Sequence, residues 1–244
     1  MEKQAFFLLL ALLAEIIGTV SGFGSSILFV PIASLFFDFK TVLGITAIFH
    51  VFSNLSKIVL FREGVKKDIV LKLGIPAVAF VIIGALLTNY IPVAQMEFIM
   101  NIMLVILSIF LLFYFNNPLQ QSNKNLYLGG IISGFLAGLL GTGGAIRGIT
   151  LTAFQLPKNI FVATSAVIDL GVDSSRSIVY VAQGYFDSSN LFLIPFLMVT
   201  SLAGSYIGKI ILKYTSEKVF RYLVLAIIMA TAVYQIVKYL RSAN

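Results

Sequence analysis

Two triplets of polar side chains stand inside strongly apolar stretches of the sequence. In each triplet the second and third residues follow the first by four and seven positions: His50, Asn54, Lys57 and Asp169, Asp173, Arg176. On a helix this spacing places the three side chains on one face. Ionisable side chains within a membrane span are costly unless they are paired or face a polar cavity, so they are functional candidates by default. The triplets therefore predict two polar helix faces that contribute to the binding of a small anion.

The triplets also have structural interpretations, which the sequence leaves open. Asp173 and Arg176 can form an ion pair, and Lys57 and Arg176 can extend their long side chains toward opposite membrane surfaces. His50 and Asp169 lie near the centres of their apolar stretches. A buried histidine is either a hydrogen-bonded core residue or a group that carries a proton. His50 and Asp169 are accordingly the candidates for proton coupling.

Two apolar segments are each interrupted by a short glycine-rich stretch. The interruptions consist of Gly22, Phe23, Gly24, Ser25, Ser26 and of Gly141, Thr142, Gly143, Gly144. Non-helical backbone at membrane depth leaves N–H groups unpaired, and it is tolerated only where protein or a polar cavity satisfies them. The helix that follows each interruption presents free N–H groups and a partial positive charge. The interruptions therefore predict an anion site at the middle of the membrane, although glycines also allow close helix packing.

Two further charged residues flank these interruptions. Arg147 follows the second interruption by about one turn, where it either closes on an anion or pairs with Asp169 or Asp173. Glu15 lies in the arm before the first interruption, and the sequence does not indicate its partner. We include Arg147 among the predicted substrate-binding residues and leave Glu15 unassigned.

The composition of the chain is that of an integral membrane protein. Hydrophobic residues make up 59% of the 244 residues and charged residues only 11%, whereas a soluble domain is roughly half apolar and a quarter charged. The net charge of +7 does not indicate nucleic acid, because the basic residues stand at the ends of apolar stretches. The chain has no cysteine, which excludes disulfides, cysteine-ligated metals and thiol chemistry. We predict no metal site and no cofactor.

The elements that must position these residues are membrane-spanning helices. Six apolar stretches are long enough to cross a bilayer: residues 41–61, 69–88, 98–115, 160–182, 191–207 and 219–240. The interrupted segments, residues 6–37 and 126–154, are each expected to consist of two arms too short to cross on their own. We expect the N-terminal apolar segment to remain in the mature protein, since it lacks the features of a signal peptide.

The sequence is predicted to contain two copies of one unit. The second interruption follows the first by 119 residues, and the same offset superposes the first polar triplet on the second. The one long polar stretch, residues 116–125, falls between the copies. We expect a single membrane transport domain over residues 1–244, with copies at residues 5–115 and 126–240 joined by a linker at residues 116–125.

Loop charge predicts opposite orientations for the two copies. In the first copy the loop after the first full span is basic, with Lys66 and Lys67, whereas residues 89–95 carry no basic residue. In the second copy the order is reversed, because residues 183–190 carry none and the next loop is flanked by Lys209 and Lys213. The positive-inside rule places both basic loops in the cytoplasm. We therefore expect an all-α polytopic membrane protein with two inverted repeats. Each repeat consists of a glycine-rich broken helix or hairpin, the hairpin being preferred, and three transmembrane helices.

Two glycine-rich stretches carry a resemblance to a known family. They are residues 18–25, Gly-Thr-Val-Ser-Gly-Phe-Gly-Ser, with Pro31, and residues 133–144, Ser-Gly-Phe-Leu-Ala-Gly-Leu-Leu-Gly-Thr-Gly-Gly. With these stretches in duplicate, the chain resembles the sulfite exporter TauE/SafE family of bacterial and archaeal membrane proteins. The resemblance implies transport of sulfur-containing anions such as sulfite, sulfoacetate or related sulfonates, usually out of the cell. The sequence departs from the family pattern where Thr150 stands opposite Pro31 and where Ser25 replaces a commonly found third glycine.

The predicted function is that of a secondary transporter in the prokaryotic plasma (inner) membrane. The anion is expected between the two interruptions, flanked by Lys57, Arg147 and Arg176. An anion channel would use the same groups. A membrane-embedded enzyme is disfavoured because the sequence has no Gly-x-Ser-Gly, no set of metal ligands and no nucleotide-binding loop. The expected partners are a small anion, the lipid bilayer, and protons or another coupling ion, but not nucleic acid; whether the chain forms a homo-oligomer stays open.

Overall fold

The fold is a bundle of helices. The computed structural model describes residues 2–22, 24–114, 119–186 and 191–214, together with residues 233 and 237. Its helices are α1 (Glu2–Ser21), α2 (Ser26–Ala33), α3 (Phe39–Leu60), α4 (Lys67–Ile69), α5 (Ile75–Leu87), α6 (Val93–Tyr114), α7 (Asn123–Leu140), α8 (Gly144–Thr152), α9 (Lys158–Ala182) and α10 (Leu193–Leu212). Four stretches of the described residues are long and apolar enough to cross a membrane: Lys3–Ser21, Phe39–Leu60, Lys67–Leu87 and Leu193–Leu212.

Capping residues and proline set the helix ends and one irregular turn. Asp38 accepts a hydrogen bond from the Thr41 amide (3.1 Å) and so caps the start of α3. Gly141 ends α7 with φ of 77°, a left-handed conformation that a residue with a Cβ adopts only at a cost. The π-helical turn Val70–Gly74 joins α4 to α5 just before Pro76, which has no N–H to donate along the helix.

Each interrupted segment doubles back on itself. The ring of Phe7, near the start of α1, lies 5.1 Å from the ring of Phe37, which follows α2. In the second segment the side chain of Thr150, near the end of α8, packs against Gly129 near the start of α7. The beginning and the end of each segment therefore lie side by side, and the glycine-rich interruption lies at the far end of both arms.

The two arms of each segment differ in length, which corrects the expectation that all four are short. α1 has 20 residues and α7 has 18, whereas α2 has 8 and α8 has 9. A helix of 20 residues is about 30 Å long, enough to cross a bilayer. The expectation was wrong because hydropathy ignores the polar residues that begin the long arms. α1 includes Glu2 and Lys3, and α7 begins at Asn123 behind the capping hydroxyl of Ser122.

Helices α3 and α9, which contain the polar triplets, run antiparallel to each other. His50 Nδ1 lies 3.4 Å from Arg176 Nη2, and Asn54 Nδ2 donates to Asp173 Oδ2 at 2.7 Å. The residue number therefore rises along α3 while it falls along α9. Since Asn54 and Asp173 correspond at the 119-residue offset, corresponding positions of the two halves meet at this contact.

The other helices pack in pairs that follow the same correspondence. α5 packs along α7, and α10 packs along α1; α10 also packs on α3, as α5 does on α9. Glycines allow both long contacts, since Gly134 of α7 approaches the backbone of Ala77 in α5 and Gly204 of α10 approaches the side chain of Glu15 in α1. Helices from the two halves of the sequence are thus interleaved.

The two basic loops lie at the same end of the bundle. Lys209, near the end of α10, donates to the carbonyl of Leu60 at the end of α3 (2.5 Å). Lys72 donates to the side chain of Asn123, which brings the start of α7 to that end as well (2.9 Å). We call this the basic end of the bundle.

The predicted spans coincide with helices wherever the structure describes them. Residues 41–61, 69–88, 98–115, 160–182 and 191–207 correspond to α3, α4 with α5, α6, α9 and α10. The prediction for residues 219–240 lies outside the described residues except at Val233 and Val237, as does part of the predicted linker, residues 116–118. Large apolar side chains such as Ile75, Ile178 and Val199 are exposed on the outside of the bundle, as contact with lipid requires.

Candidate functional site

The two interruptions meet beside the middle of α3. Ser25 Oγ, in the first interruption, lies 2.8 Å from Nε2 of His50, which stands halfway along the 22 residues of α3. Ser26 Oγ lies 3.4 Å from Thr142 Oγ1 in the second interruption. The interruptions are therefore in contact, at the midpoint of a helix long enough to cross a bilayer.

The N-terminal ends of α2 and α8 converge on the space beside Gly24. Their N-cap residues, Ser25 and Gly143, make no side-chain capping hydrogen bond. A Cβ placed on Gly24 would lie 3.5 Å from Arg147 Nη2 and 3.9 Å from Gly144 Cα. The first N–H groups of a helix have no acceptor within it, and they favour an anion. The space beside Gly24 thus has a guanidinium and two helix N-termini around it.

Arg147 is buried between the second interruption and α9. Its Nε donates to Ser165 Oγ (2.9 Å), and its Nη1 pairs with Asp169 Oδ1. Of the two carboxylates that the sequence left open as partners, the structure thus selects Asp169. The remaining nitrogen, Nη2, is the one that faces Gly24.

Arg176 is engaged by the protein at each nitrogen of its guanidinium. Nε and Nη2 both lie 2.7 Å from Asp173 Oδ1, and Nη2 also lies 3.4 Å from His50 Nδ1. Nη1 donates to the carbonyl of Gly141, the C-cap residue of α7 (2.8 Å), and to the carbonyl of Ala137 (3.2 Å), which also accepts from the Gly141 amide. Arg176 therefore stabilises the end of α7, while Arg147 is better placed to bind an anion.

Glu15 is a fully buried carboxylate next to the first interruption. Lys57 Nζ lies 2.8 Å from its Oε1. Hydroxyl groups donate to it as well, at 2.5 to 3.2 Å: Ser25, Ser53, Ser205 and Thr19. Lys57, which the sequence allowed to extend to the membrane surface, is instead buried in this cluster.

The hydrogen bonds around Ser25 assign the donor in its contact with His50. Ser25 has one hydroxyl proton, and it donates that proton to Glu15 Oε2 at 2.5 Å. His50 Nε2 is therefore the donor in the Ser25–His50 bond, and in a neutral ring Nδ1 is the nitrogen that can accept from Arg176 Nη2. Nucleophilic catalysis needs the opposite arrangement, in which histidine accepts the serine proton and a carboxylate orients the ring. The Ser25–His50 contact does not support a hydrolase.

A small cavity lies between these groups. Its volume is about 20 Å³, room for roughly one water. Most of the predicted site residues line it: Gly24, Ser25, Ser26, His50, Asn54, Lys57, Gly141, Gly143, Gly144, Arg147, Asp169, Asp173 and Arg176. A second cavity of the same volume shares Asp169 and Lys57 with the first and extends to Gly22 and Val162.

The structure brings nearly all the predicted site residues to one place. Thr142 reaches the site through its contact with Ser26, Gly22 lines the second cavity, and Phe23 lies outside the described residues. The sequence left Glu15 unassigned and missed Ser53 and Ser205, two of the hydroxyl donors around it. Ser53 stands 38 residues from Glu15 and Ser205 stands 190 residues away, so no local spacing could reveal them.

The chain is similar to known proteins over nearly its whole length. A protein-family model described as "Sulfite exporter TauE/SafE" matches residues 7–235, which include both interruptions and both polar triplets. A curated relative from Methanocaldococcus jannaschii, described as a probable membrane transporter protein, is 29% identical over 238 residues. That alignment covers 87% of this chain and 88% of the relative. No solved structure matches the chain significantly.

Proposed function

The chain belongs to the sulfite exporter TauE/SafE family, and from this we propose that it is a secondary transporter exporting small sulfur-containing anions such as sulfite or sulfonates. The family and the archaeal relative support a membrane transporter. The observation that carries the proposal is the convergence of Arg147 Nη2 and the N-termini of α2 and α8 beside Gly24. The oxygen atoms of a sulfite or sulfonate group can accept hydrogen bonds from the guanidinium and the backbone together.

The anion binds beside Gly24, with Arg147 as its principal ligand. The hydroxyls of Ser26 and Thr142 lie at the same place and supply further hydrogen bonds. Lys57 and Arg176 set the charge of the cavity while remaining paired with their carboxylates. A cavity that holds about one water is too small for the substrate. The structure therefore corresponds to a closed state, and the two interruptions must separate for the anion to enter.

The two copies of the sequence are inverted with respect to the membrane. The antiparallel arrangement of α3 and α9 supports this orientation, since these helices correspond at the 119-residue offset. The adjacent ends of the interrupted segments support hairpins that enter and return. Both basic loops lie at one end of the bundle, which the positive-inside rule assigns to the cytoplasm.

Cysteines introduced at Lys66 and Lys213 are expected to be protected from an impermeant thiol reagent in intact cells. Both side chains are exposed and belong to the loops of the basic end, and the natural chain has no cysteine. Tyr90→Cys is the matched control, because Tyr90 is exposed in the loop after α5 at the opposite end and should be labelled. Labelling of only one of the two lysine positions would contradict the inverted arrangement.

The site is proposed to open toward the basic end. The second cavity extends from Asp169 toward Val162, and Val20, Phe61, Val162, Ala163 and Leu212 form an apolar cluster on that side. An exporter loads its substrate from the cytoplasm, the side that this opening would reach.

Arg147→Lys is expected to lower sulfite flux in proteoliposomes by about tenfold or more, although the positive charge is kept. Lysine cannot reproduce the planar fork that holds Ser165 and Asp169 and still faces Gly24. Arg62→Lys is the matched control. Arg62 is exposed and lies outside the site, so this variant should transport sulfite normally. Normal rate and KM in Arg147→Lys would contradict the proposed site.

An anion channel is the alternative function, and flux measurements separate the two. The flux through a transporter saturates with substrate concentration and is accelerated by substrate on the other side of the membrane. The flux through a channel shows neither property. His50 and Asp169 are the candidates for coupling to protons, and neither is assigned to catalysis. The exposed apolar helix faces support a multi-pass location in the prokaryotic plasma membrane.

A further inference from the structure

The charges around the cavity balance one another. Among the described residues, three ion pairs surround it: Lys57 with Glu15, Arg147 with Asp169, and Arg176 with Asp173. We take His50 as neutral, because its Nδ1 faces Arg176 Nη2 and a proton there would set two N–H donors against each other. An uncompensated charge in a buried site is costly. A substrate anion that enters this site therefore adds a negative charge that another group must offset.

Asp169 is the least firmly held of the three carboxylates. Its side chain is 15% exposed, against 0% for Glu15 and 7% for Asp173. Glu15 accepts hydrogen bonds from several hydroxyls, and Asp173 also accepts one from Asn54. Asp169 pairs with Arg147, whose guanidinium faces the proposed anion position. Asp169 is therefore the carboxylate that is easiest to displace, and it is paired with Arg147, the cation that the substrate needs.

We propose that Asp169 is an internal anion, which pairs with Arg147 in the empty transporter and is displaced by the substrate anion as it takes up one proton. This inference rests on the proposed function. In the step the ion pair between Asp169 and Arg147 breaks, and Arg147 pairs with the substrate. A proton from water forms an O–H bond with a carboxylate oxygen of Asp169. The charge of the site is unchanged, because one anion and one proton enter together.

The proton has a route to Asp169. Asp169 lines both cavities, and the second cavity extends from it toward the basic end. Gly24, beside which the substrate is proposed to bind, also lines both cavities. Anion and proton can therefore reach adjacent groups from the same side of the membrane.

In the part of the chain that the structure describes, the ionisable groups that face Asp169 come from three helices. They are Arg147 on α8, Lys57 and His50 on α3, and Asp173 and Arg176 on α9 itself. α7 also packs on α9, and within the described residues it contributes only the apolar Ala137 and Gly141 to the cavity. Lys57 and Arg176 are held by their own carboxylates, so Arg147 is the cation whose partner changes when the anion binds.

The experiment measures proton uptake when purified wild-type transporter in weakly buffered detergent solution binds methanesulfonate, an anion that does not titrate. We expect uptake of one proton for each anion bound. The affinity should fall about tenfold per pH unit where Asp169 is ionised in the empty protein. Asp169→Asn should bind methanesulfonate without proton uptake and with an affinity independent of pH. Asp68→Asn, which changes an exposed carboxylate paired with Lys72, should behave as wild type.

Two results would overturn the inference. If wild-type protein binds methanesulfonate without proton uptake, the anion does not displace Asp169 in the proposed way. This measurement needs only the wild type, so it holds even if Asp169→Asn does not fold. Undiminished proton uptake by Asp169→Asn would place the proton on another group. His50 would then be the remaining candidate. Wild-type protein that binds no methanesulfonate at any pH would instead contradict the proposed function.

Discussion

Replacing Glu15 with glutamine is expected to lower the free energy of unfolding by about 3–5 kcal/mol. The carboxylate is fully buried and neutralises the buried ammonium of Lys57 at 2.8 Å. Glutamine has the same shape but no charge, and its NH2 group would face Lys57 or the hydroxyls that now donate to Glu15. The unpaired buried charge accounts for most of the cost. The change is measured by thermal unfolding of the purified protein in detergent.

A second variant separates the ion pair from packing. Glu15→Gln combined with Lys57→Met removes both charges, so it should recover much of the stability lost in the single variant. Asp68→Asn is the surface control, because the exposed pair of Asp68 with Lys72 contributes at most about 1 kcal/mol. A double variant that is no more stable than Glu15→Gln would show that Lys57 does not depend on this carboxylate.

Gly24→Ala is expected to abolish transport of sulfite while the protein still inserts and folds. Its Cβ would stand within 4 Å of Arg147 Nη2, Gly144 Cα and Ser26 Oγ, which is the space assigned to the anion. Loss of even one hydrogen bond to a charged ligand costs about 1.5–3 kcal/mol, roughly a tenfold loss of affinity or more. The measurements are sulfite flux in proteoliposomes and the thermal shift caused by methanesulfonate.

Gly184→Ala is the matched control for backbone strain. Gly24 has φ of 85° and Gly184 has φ of 73°, so alanine is strained at both positions. A Cβ on Gly184 meets no atom within 4 Å, however, and Gly184 lies far from the cavity. Similar stability in the two variants with transport lost only in Gly24→Ala would assign the effect to the anion site. Normal transport by Gly24→Ala would remove the first interruption from the site.

The sequence predicts the site well where one helix carries the information. Helical spacing places Asp173 next to Arg176, and the 119-residue offset relates Asn54 to Asp173, which are in contact. The glycine-rich interruptions are recognisable because they break apolar runs at matching positions. These features depend on local periodicity and on the internal repeat, both of which can be read along the chain.

What the sequence could not supply is the choice among distant partners. Arg147 had two candidate carboxylates one turn apart on α9, and only the path of α8 across that helix decides for Asp169. Glu15 is held by Ser25 in the first interruption and by residues on α3 and α10. Such partners depend on how helices pack, and hydropathy carries no information about packing between helices that are far apart in the chain.

The interleaved packing of the helices bears on which parts of the proposed transporter can move, since the predicted repeats are not separate in space. α1 and α10 come from different halves of the sequence but are packed along their length, and so are α5 and α7. Neither half of the sequence can move as a rigid body without breaking the contacts of α1 with α10 and of α5 with α7. If the bundle divides at the contact of α3 with α9, each part is mixed, one containing α1, α3 and α10 and the other α5, α7 and α9. The candidate anion site lies at this division, where α3 meets α9 and α2 meets α8, so in the proposed transporter we expect movement of one mixed part against the other to open it.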